Sequence, residues 1–269
     1  MIKCNTNGYV RLVDHMGSDL SAIRSARVSY DADWREDNKT SDRALLRYLV
    51  RNKHTSPLES IVFTFEVKAE IFVLRQWMRH RTWAYNEVSA RYTELPEDYF
   101  IPNVDEITTQ HKDNKQMRSN EVNQNAFDIK DLISTQNAKA FTTYQSLIQL
   151  ECPRELARSV LPVGTYSRMF ATVNLHNLFH FLRLRLHPHA QKEIQVYAAA
   201  MLELIRPFVP ILAEAFDDYV VNARTFSAQE MDILWKAIQD NIPIEYLIEM
   251  SQEKLSKGEA REFMEKFSV

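Results

Sequence analysis

The sequence predicts an α+β fold with one main domain, and three observations predict it. Residues 61–68 (IVFTFEVK) alternate Phe63, Phe65 and Val67 with Thr64, Glu66 and Lys68, the period of a half-buried strand. Residues 175–186 and 190–216 carry apolar side chains at helical spacing. The 269 residues are 45% hydrophobic and 26% charged, enough apolar content for one large core, and they contain no internal repeat.

In chain order, residues 9–14 form a first strand, and 19–29 form a helix with Leu20, Ile23 and Ala26 at helical spacing. Ser41 stands as the N-cap of a helix running through Leu45, Leu46, Leu49 and Val50. The strand 61–68 follows Pro57, and then the period changes. Ile71, Leu74 and Met78 are spaced for a helix that carries Gln76 and Arg79 on another face. Residues 103–137 are rich in Asn, Gln, Asp and Lys and read as an exposed excursion, with a helix beginning near Asn125. Such a surface insertion costs little. The helix continues over 141–158 until Pro162 interrupts it, and 165–174 forms another strand. Helices 175–186 and 190–216 follow, the second bent or broken at Pro207 and Pro210. The tail has helical spacing at Met231, Leu234 and Ile238, then at Ile244, Leu247, Ile248 and Leu255. The expected organisation is a main domain over 1–224 with the polar insertion at about 103–137, and a helical extension over 225–269.

Composition excludes several classes of function. A net charge of −3 gives no global field for a polyanion, so a nucleic-acid partner is not expected. No apolar run is long enough to span a bilayer, and the first residues lack the apolar segment of a secretory signal, so a cytoplasmic protein without a membrane partner is expected. Cys4 and Cys152 are too few for a disulfide framework and lack zinc-site spacing; no metal is expected. The four glycines form no Gly-x-Gly-x-x-Gly turn, so a dinucleotide would have to bind by another route.

The densest polar cluster is Gln76-Trp77-Met78-Arg79-His80-Arg81, continued by Glu87, Ser89 and Arg91. Arginine offers planar donor forks for phosphate or for uracil-like carbonyls, Glu87 is an acceptor, and Ser89 donates to a phosphate oxygen. The residues alone leave a plainer reading open, a basic last turn favoured by the helix dipole. His176 and His180, four apart, read either as a polar stripe or as half of a metal site with no carboxylate at ligand spacing.

Arg79-His80-Arg81, seven intervening residues and Ser89 resemble the signature of flavin-dependent thymidylate synthases. His54-Thr55-Ser56-Pro57-Leu58-Glu59 and Gln76-Trp77 are similar to that family around the signature. Its second half is matched in order by residues 157–162, by Thr172-Val173-Asn174, by Leu184-Arg185, and by residues 189–195. The likeness covers roughly residues 10–216. It implies helices flanking a mixed sheet, the thymidylate synthase-complementing protein-like fold, assembled as a homotetramer with active sites between subunits. It implies FAD as cofactor, contacted by Ser56, Arg79, His80, Arg81, Glu87, Asn174, His176 and His180. Gln76, Arg79, Glu87, Ser89, Arg91, Arg158 and Arg185 would surround dUMP, with Arg185 polarising the pyrimidine as the catalytic group. 5,10-Methylenetetrahydrofolate would donate the carbon and NADPH the electrons, without a cysteine nucleophile. His176 and His180 stand where many relatives carry Arg and Asn. Two other readings remain open: a module stacking RNA bases on Trp77, Trp83, Tyr85 and Tyr92, and a catalytically silent flavoprotein.

Overall fold

The computed structural model describes residues 1–29, 39–112, 117–243 and 246–267. The chain divides into two units, Met1–Val221 and Asn222–Val269.

In the first unit, β1 (Ile2–Lys3) and β2 (Tyr9–Met16) open a sheet. A bulge after Leu12 lets β2 resume pairing at Asp14, so it runs past the predicted end at Asp14 to Met16. α1 (Asp19–Val28) follows where predicted. The Asp19 carboxylate accepts from the backbone N–H groups of Ile211 and Leu212 at 2.8 and 3.2 Å and so ties α1 to a later helix start. α2 (Lys39–Arg51) begins before Ser41, which therefore sits inside the helix and not at its N-cap. A 3₁₀ turn (Ser56–Ser60) leads into β3 (Val62–Glu70). Phe63, Phe65, Val67 and Ala69 of β3 are fully buried, as their alternation predicts. Glu66, on the opposite sheet face, is also buried, because Arg11 pairs with it.

α3 (Ile71–Trp77) and β4 (Ala84–Glu87) come next. The polar excursion is more ordered than its composition predicts. It folds a short hairpin, β5 (Thr108–Gln110) with β6 (Arg118–Val122). Ile107, Ala126 and Asn137 are buried, so the segment is not wholly exposed. α4 (Ala126–Gln149) has Asn125 as N-cap, close to the predicted start. Its end differs from the expected 158. Pro153 disfavours helix in the residue before it and cannot donate, and Glu151 takes a φ of 60°, so the helix stops at Gln149. α5 (Arg154–Ala157) is a separate turn.

β7 (Tyr166–Asn174), α6 (Leu175–Arg185), α7 (Lys192–Ile205) and α8 (Pro210–Phe216) complete the core. The break between α7 and α8 falls at Pro207 and Pro210 as predicted. The sheet order is β1-β2-β3-β7-β4, and every described pairing is antiparallel, which replaces the mixed sheet that the resemblance implies. β3 and β7 pair over nine positions, from Val62↔Asn174 to Glu70↔Tyr166. The core fills one face of this sheet with Phe63, Phe65, Trp77, Phe181, Tyr197 and Phe216. Glu70, at the end of β3, accepts from Asn5 at 2.6 Å and from Tyr197 at 3.1 Å, anchoring α7 to the sheet. A Cβ on Gly8 would collide with the Tyr197 hydroxyl, so only glycine fits there.

The second unit holds α9 (Ala228–Gln239), α10 (Leu247–Lys254) and α11 (Lys257–Glu265). Its small core contains Ile233, Ala237, Leu247, Leu255, Ala260 and Phe263. Helix formation here is as predicted, and α9 packs through Ile233 and Ala237. Glu230 is drawn in by its capping box with Ser227 and by Lys266 at 2.6 Å, which turns Ile233 and Ala237 inward and leaves Met231 and Ile238 exposed. Ile244 lies outside the described residues.

Candidate active site

Trp77 ends α3 fully buried, stacked on Phe181 of α6 at 4.8 Å. The chain then turns tightly: Arg79 and His80 donate their N–H groups to the carbonyls of Gln76 and Trp77 at 3.3 and 2.9 Å. Helix ends leave carbonyls without partners. Here the Tyr85 hydroxyl fills that need, lying 3.1 Å from the Trp77 oxygen and 3.0 Å from that of His80. Burial pushes this phenol well above its ordinary pKa, so it stays a donor. The turn sends Arg79 and Arg81 outward and His80 inward.

His80 is 7% exposed and packs edge-on against Phe181 at 4.9 Å, with His180 at 5.8 Å. Arg185, in the last turn of α6, donates from Nε to His80 Nε2 at 3.1 Å and from Nη2 to the Gln76 carbonyl at 3.3 Å. An imidazole nitrogen that accepts is unprotonated. Burial first, then the charges of Arg185 and His180, push the His80 pKa down to about 4, consistent with that role. His180 is lowered as well, by burial and then by Arg183, His176 and Arg185. Burial lowers Arg185 too, yet guanidinium keeps its charge at neutral pH. Two of its N–H donors are committed to fixing its plane, and Nη1 meets no protein acceptor among the described residues.

A second group lies along β4. Glu87 is opposite Met169 in the register and accepts from Ser167 at 2.6 Å. It lines a cavity of about 430 Å³ on the sheet face with Arg11, Glu66, Asn86, Val88, Arg168, Met169 and Phe170. Just beyond, the Arg91 N–H donates to Ser89 Oγ at 3.3 Å, while its guanidinium meets Glu155 at 3.5 Å in an exposed pair. A third group gathers at the far end of β7. Asn174 caps α6 by accepting from the Asn177 N–H at 2.9 Å, and the Leu175 N–H donates to the Ile61 carbonyl at 2.8 Å, next to the turn that starts at Ser56. His176 sits one residue into α6 from there, and Arg158 is exposed on a 3₁₀ turn.

The structure therefore joins Gln76, His80, His180 and Arg185 directly, and sets Glu87, Ser89 and Arg91 along one strand end. Among the described residues no hydrogen bond or ion pair ties Ser56, Arg158 or His176 to either group. A second cavity of about 340 Å³, lined by Thr6, Asn7, Glu97, Asp98, Tyr99 and Ile101, holds none of the predicted residues. Its acidic lining does not suit an anionic nucleotide, so the arginine groups mark the better candidate. Sequence reasoning missed Tyr85, Ser167, Gln191 and Glu193 as supports. For Gln191 and Glu193 the signal was the match of residues 189–195 in order, with no role attached, and Tyr85 stood only as a stacking candidate. No group of three metal-ligating side chains occurs among the described residues.

Comparison with known proteins gives this geometry its family. The family described as Thymidylate synthase complementing protein matches residues 11–211. A flavin-dependent thymidylate synthase of Treponema denticola is 45% identical over 233 residues, covering 84% of this chain and 85% of the relative. One from Borreliella burgdorferi is 37% identical over 262 residues and covers 93% of each. The chain left out of that match is shorter than the second unit, so this relative shares part of it. Among solved structures, the UMP/dUMP methylase PolB of Streptomyces cacaoi, bound with 5-Br dUMP, superposes with a TM-score of 0.75 at 35% identity, covering 81% of this chain and 98% of that one. The chain belongs to the thymidylate synthase complementing protein family, that of the flavin-dependent thymidylate synthases.

Proposed function

We propose that this protein is a flavin-dependent thymidylate synthase that methylates dUMP to dTMP, with 5,10-methylenetetrahydrofolate as carbon donor and NADPH as electron source. The observation that carries the reading is Arg185, a half-buried guanidinium whose plane is fixed by His80 and Gln76 while Nη1 stays available. Carbon 5 of uracil is a weak nucleophile, and a preorganised cation against the ring favours its ionised form without a covalent adduct. Neutral His80 orients that cation and adds no competing charge.

The residues present also fit FAD. Arg79 and Arg81 are exposed on either side of the inward His80, and such forks bind phosphate oxygens without a glycine-rich turn. Ser56, Glu87, Asn174, His176 and His180 complete the proposed flavin side, and bound FAD supplies the hydride chemistry. Gln76, Arg79, Glu87, Ser89, Arg91 and Arg158 would hold the nucleotide, with Ser89 on phosphate. Because Ser56 and Arg158 are not joined to the Arg185 group within one chain, the reading assigns the site to several subunits of a homotetramer. Residues 1–224 carry the activity and 225–269 are appended to them. A cytoplasmic location belongs to the same reading, and no helix among the described residues is long and apolar enough to cross a membrane.

The test is the visible spectrum of the purified protein with and without dUMP, followed by assay of dTMP, with UMP as the comparison substrate. Flavin bands that change on adding dUMP, and dTMP formation in an oligomer by light scattering, are expected. A protein that never binds FAD, or an active flavin-loaded monomer, overturns the chemistry or the assembly respectively.

A further inference from the structure

The hairpin in the polar excursion sends one arginine back to the body of the protein. Arg118, on β6, pairs with Glu193 in the first turn of α7. Glu193 is 8% exposed, and burying a carboxylate is costly unless a cation and hydrogen-bond donors meet it. Its other oxygen accepts from Gln191 Nε2 at 2.7 Å. The Gln191 amide oxygen in turn accepts from Gln76 Nε2. Arg118, Glu193, Gln191 and Gln76 thus form a relay from the hairpin to the end of α3, where Gln76 also receives Arg185 on its backbone carbonyl.

The direction of every bond in the relay follows from the carboxylate. Both Glu193 oxygens accept, one from Arg118 and the other from Gln191. Gln191 must turn its NH₂ to Glu193, which leaves its oxygen for Gln76. Gln76 must then turn its own NH₂ to Gln191, and its Oε1 is left as an acceptor. The two ends of an amide are almost equal in size and differ only in hydrogen-bonding sense. Remove the anchor and both amides are free to flip.

We propose that Arg118 is a positioning residue for the nucleotide. By pairing with the Glu193 carboxylate it fixes, through Gln191, the Gln76 amide with its oxygen turned toward a hydrogen-bond donor of the bound substrate. The inference rests on the reading of this site as a dUMP site. It gives the hairpin a part in substrate affinity although the hairpin carries none of the residues assigned to ligand contact.

The experiment compares FAD-loaded wild type with Arg118→Ala and Glu193→Gln, measuring KM for dUMP, kcat and flavin occupancy. Each variant is expected to raise KM about tenfold, the worth of about one well-placed hydrogen bond, with kcat within about twofold and flavin occupancy unchanged. Arg118→Lys keeps a cation against Glu193 and recovers most of the affinity. The combined variant is no worse than either single one, since both cut the same relay. Unchanged KM in both single variants, or effects that simply add, overturns the relay. So does a parallel loss of kcat and flavin occupancy, the mark of a merely structural pair. A wild type that forms no dTMP instead removes the reading of the site, and the inference with it.

Discussion

Arginines occur in two settings within this site, and the contrast explains what each can do. Arg185 is half-buried and gives donors to His80 and Gln76, so its orientation is set before any ligand arrives. Arg79 and Arg81 are exposed on the turn two and four residues beyond Trp77, with no ion pair among the described residues. A preorganised, partly desolvated charge is worth most where charge develops during reaction, whereas an exposed one attracts an anion and is screened by salt. The same side chain therefore serves chemistry in one place and capture in the other.

Replacing Arg185 tests that contrast with the largest expected effect. Arg185→Ala lowers kcat for dTMP formation by about a hundredfold or more, the typical loss when one preorganised donor is removed. It leaves His80 Nε2 without its donor at a cost of about 1 kcal/mol, so the fold and flavin occupancy persist. Arg185→Lys keeps the charge without the planar fork and recovers only part of the rate. Arg183→Ala, at an exposed position two residues away on α6, changes little. Turnover and flavin absorbance measured together separate catalysis from assembly, and wild-type turnover in Arg185→Ala breaks the contrast.

How much of this was legible in the sequence follows from which interactions are local. The strand at residues 61–68, helix α6 and the proline break before α8 rest on short-range periodicity and backbone restriction, and they form as predicted. The end of α4 was misplaced because Pro153, four residues beyond its end, outranks Pro162, and apolar spacing continues across the break. The inward face of α9 is not legible from spacing alone, because burial of Glu230 depends on Lys266, a partner 36 residues away. The same limit applies to the site. Arg79-His80-Arg81 is visible as a motif, but its out-in-out arrangement depends on Phe181 and Arg185, about a hundred residues later. Glu193 was visible only as a matched letter, since its partner Arg118 lies in the excursion whose polarity reads as solvent exposure.

His80 is the side chain that holds Arg185 in place. Its pKa in the folded protein is pushed down to about 4, below the ordinary 6.5. At pH above 6.5 the imidazole is neutral in folded and unfolded chains alike. As pH falls from there toward 4, the unfolded chain takes up a proton that the folded one refuses, so stability is lost. The loss is on the order of 3 kcal/mol. His80→Gln keeps an acceptor for Arg185 and does not titrate, so its stability should fall less over this window. Denaturant unfolding at several pH values reads the difference directly. Equal slopes for the two proteins would show that His80 is not held neutral.

The smallest effect is expected where a sulfur-based mechanism would predict the greatest. Thymidylate formation through a covalent cysteine adduct needs a thiolate in contact with the pyrimidine. Both cysteines here are free thiols, and neither touches the Arg185 group. Cys4 packs against the main core behind β2, with Sγ 3.8 Å from the Ile2 carbonyl, and burial pushes its pKa up to about 12. Such a thiol is protonated throughout the physiological range. Cys152 lies in the sharp turn between α4 and α5, where its Sγ faces the Pro153 carbonyl at 3.8 Å. The double variant Cys4→Ala, Cys152→Ala should therefore keep kcat within about twofold, with a stability cost of about 1 kcal/mol from lost packing at Cys4. A dTMP assay on the flavin-loaded variant decides it. Loss of turnover in a protein that remains folded and yellow would transfer the activating role from the Arg185 guanidinium to a cysteine, and would remove the reason for holding that guanidinium so rigidly.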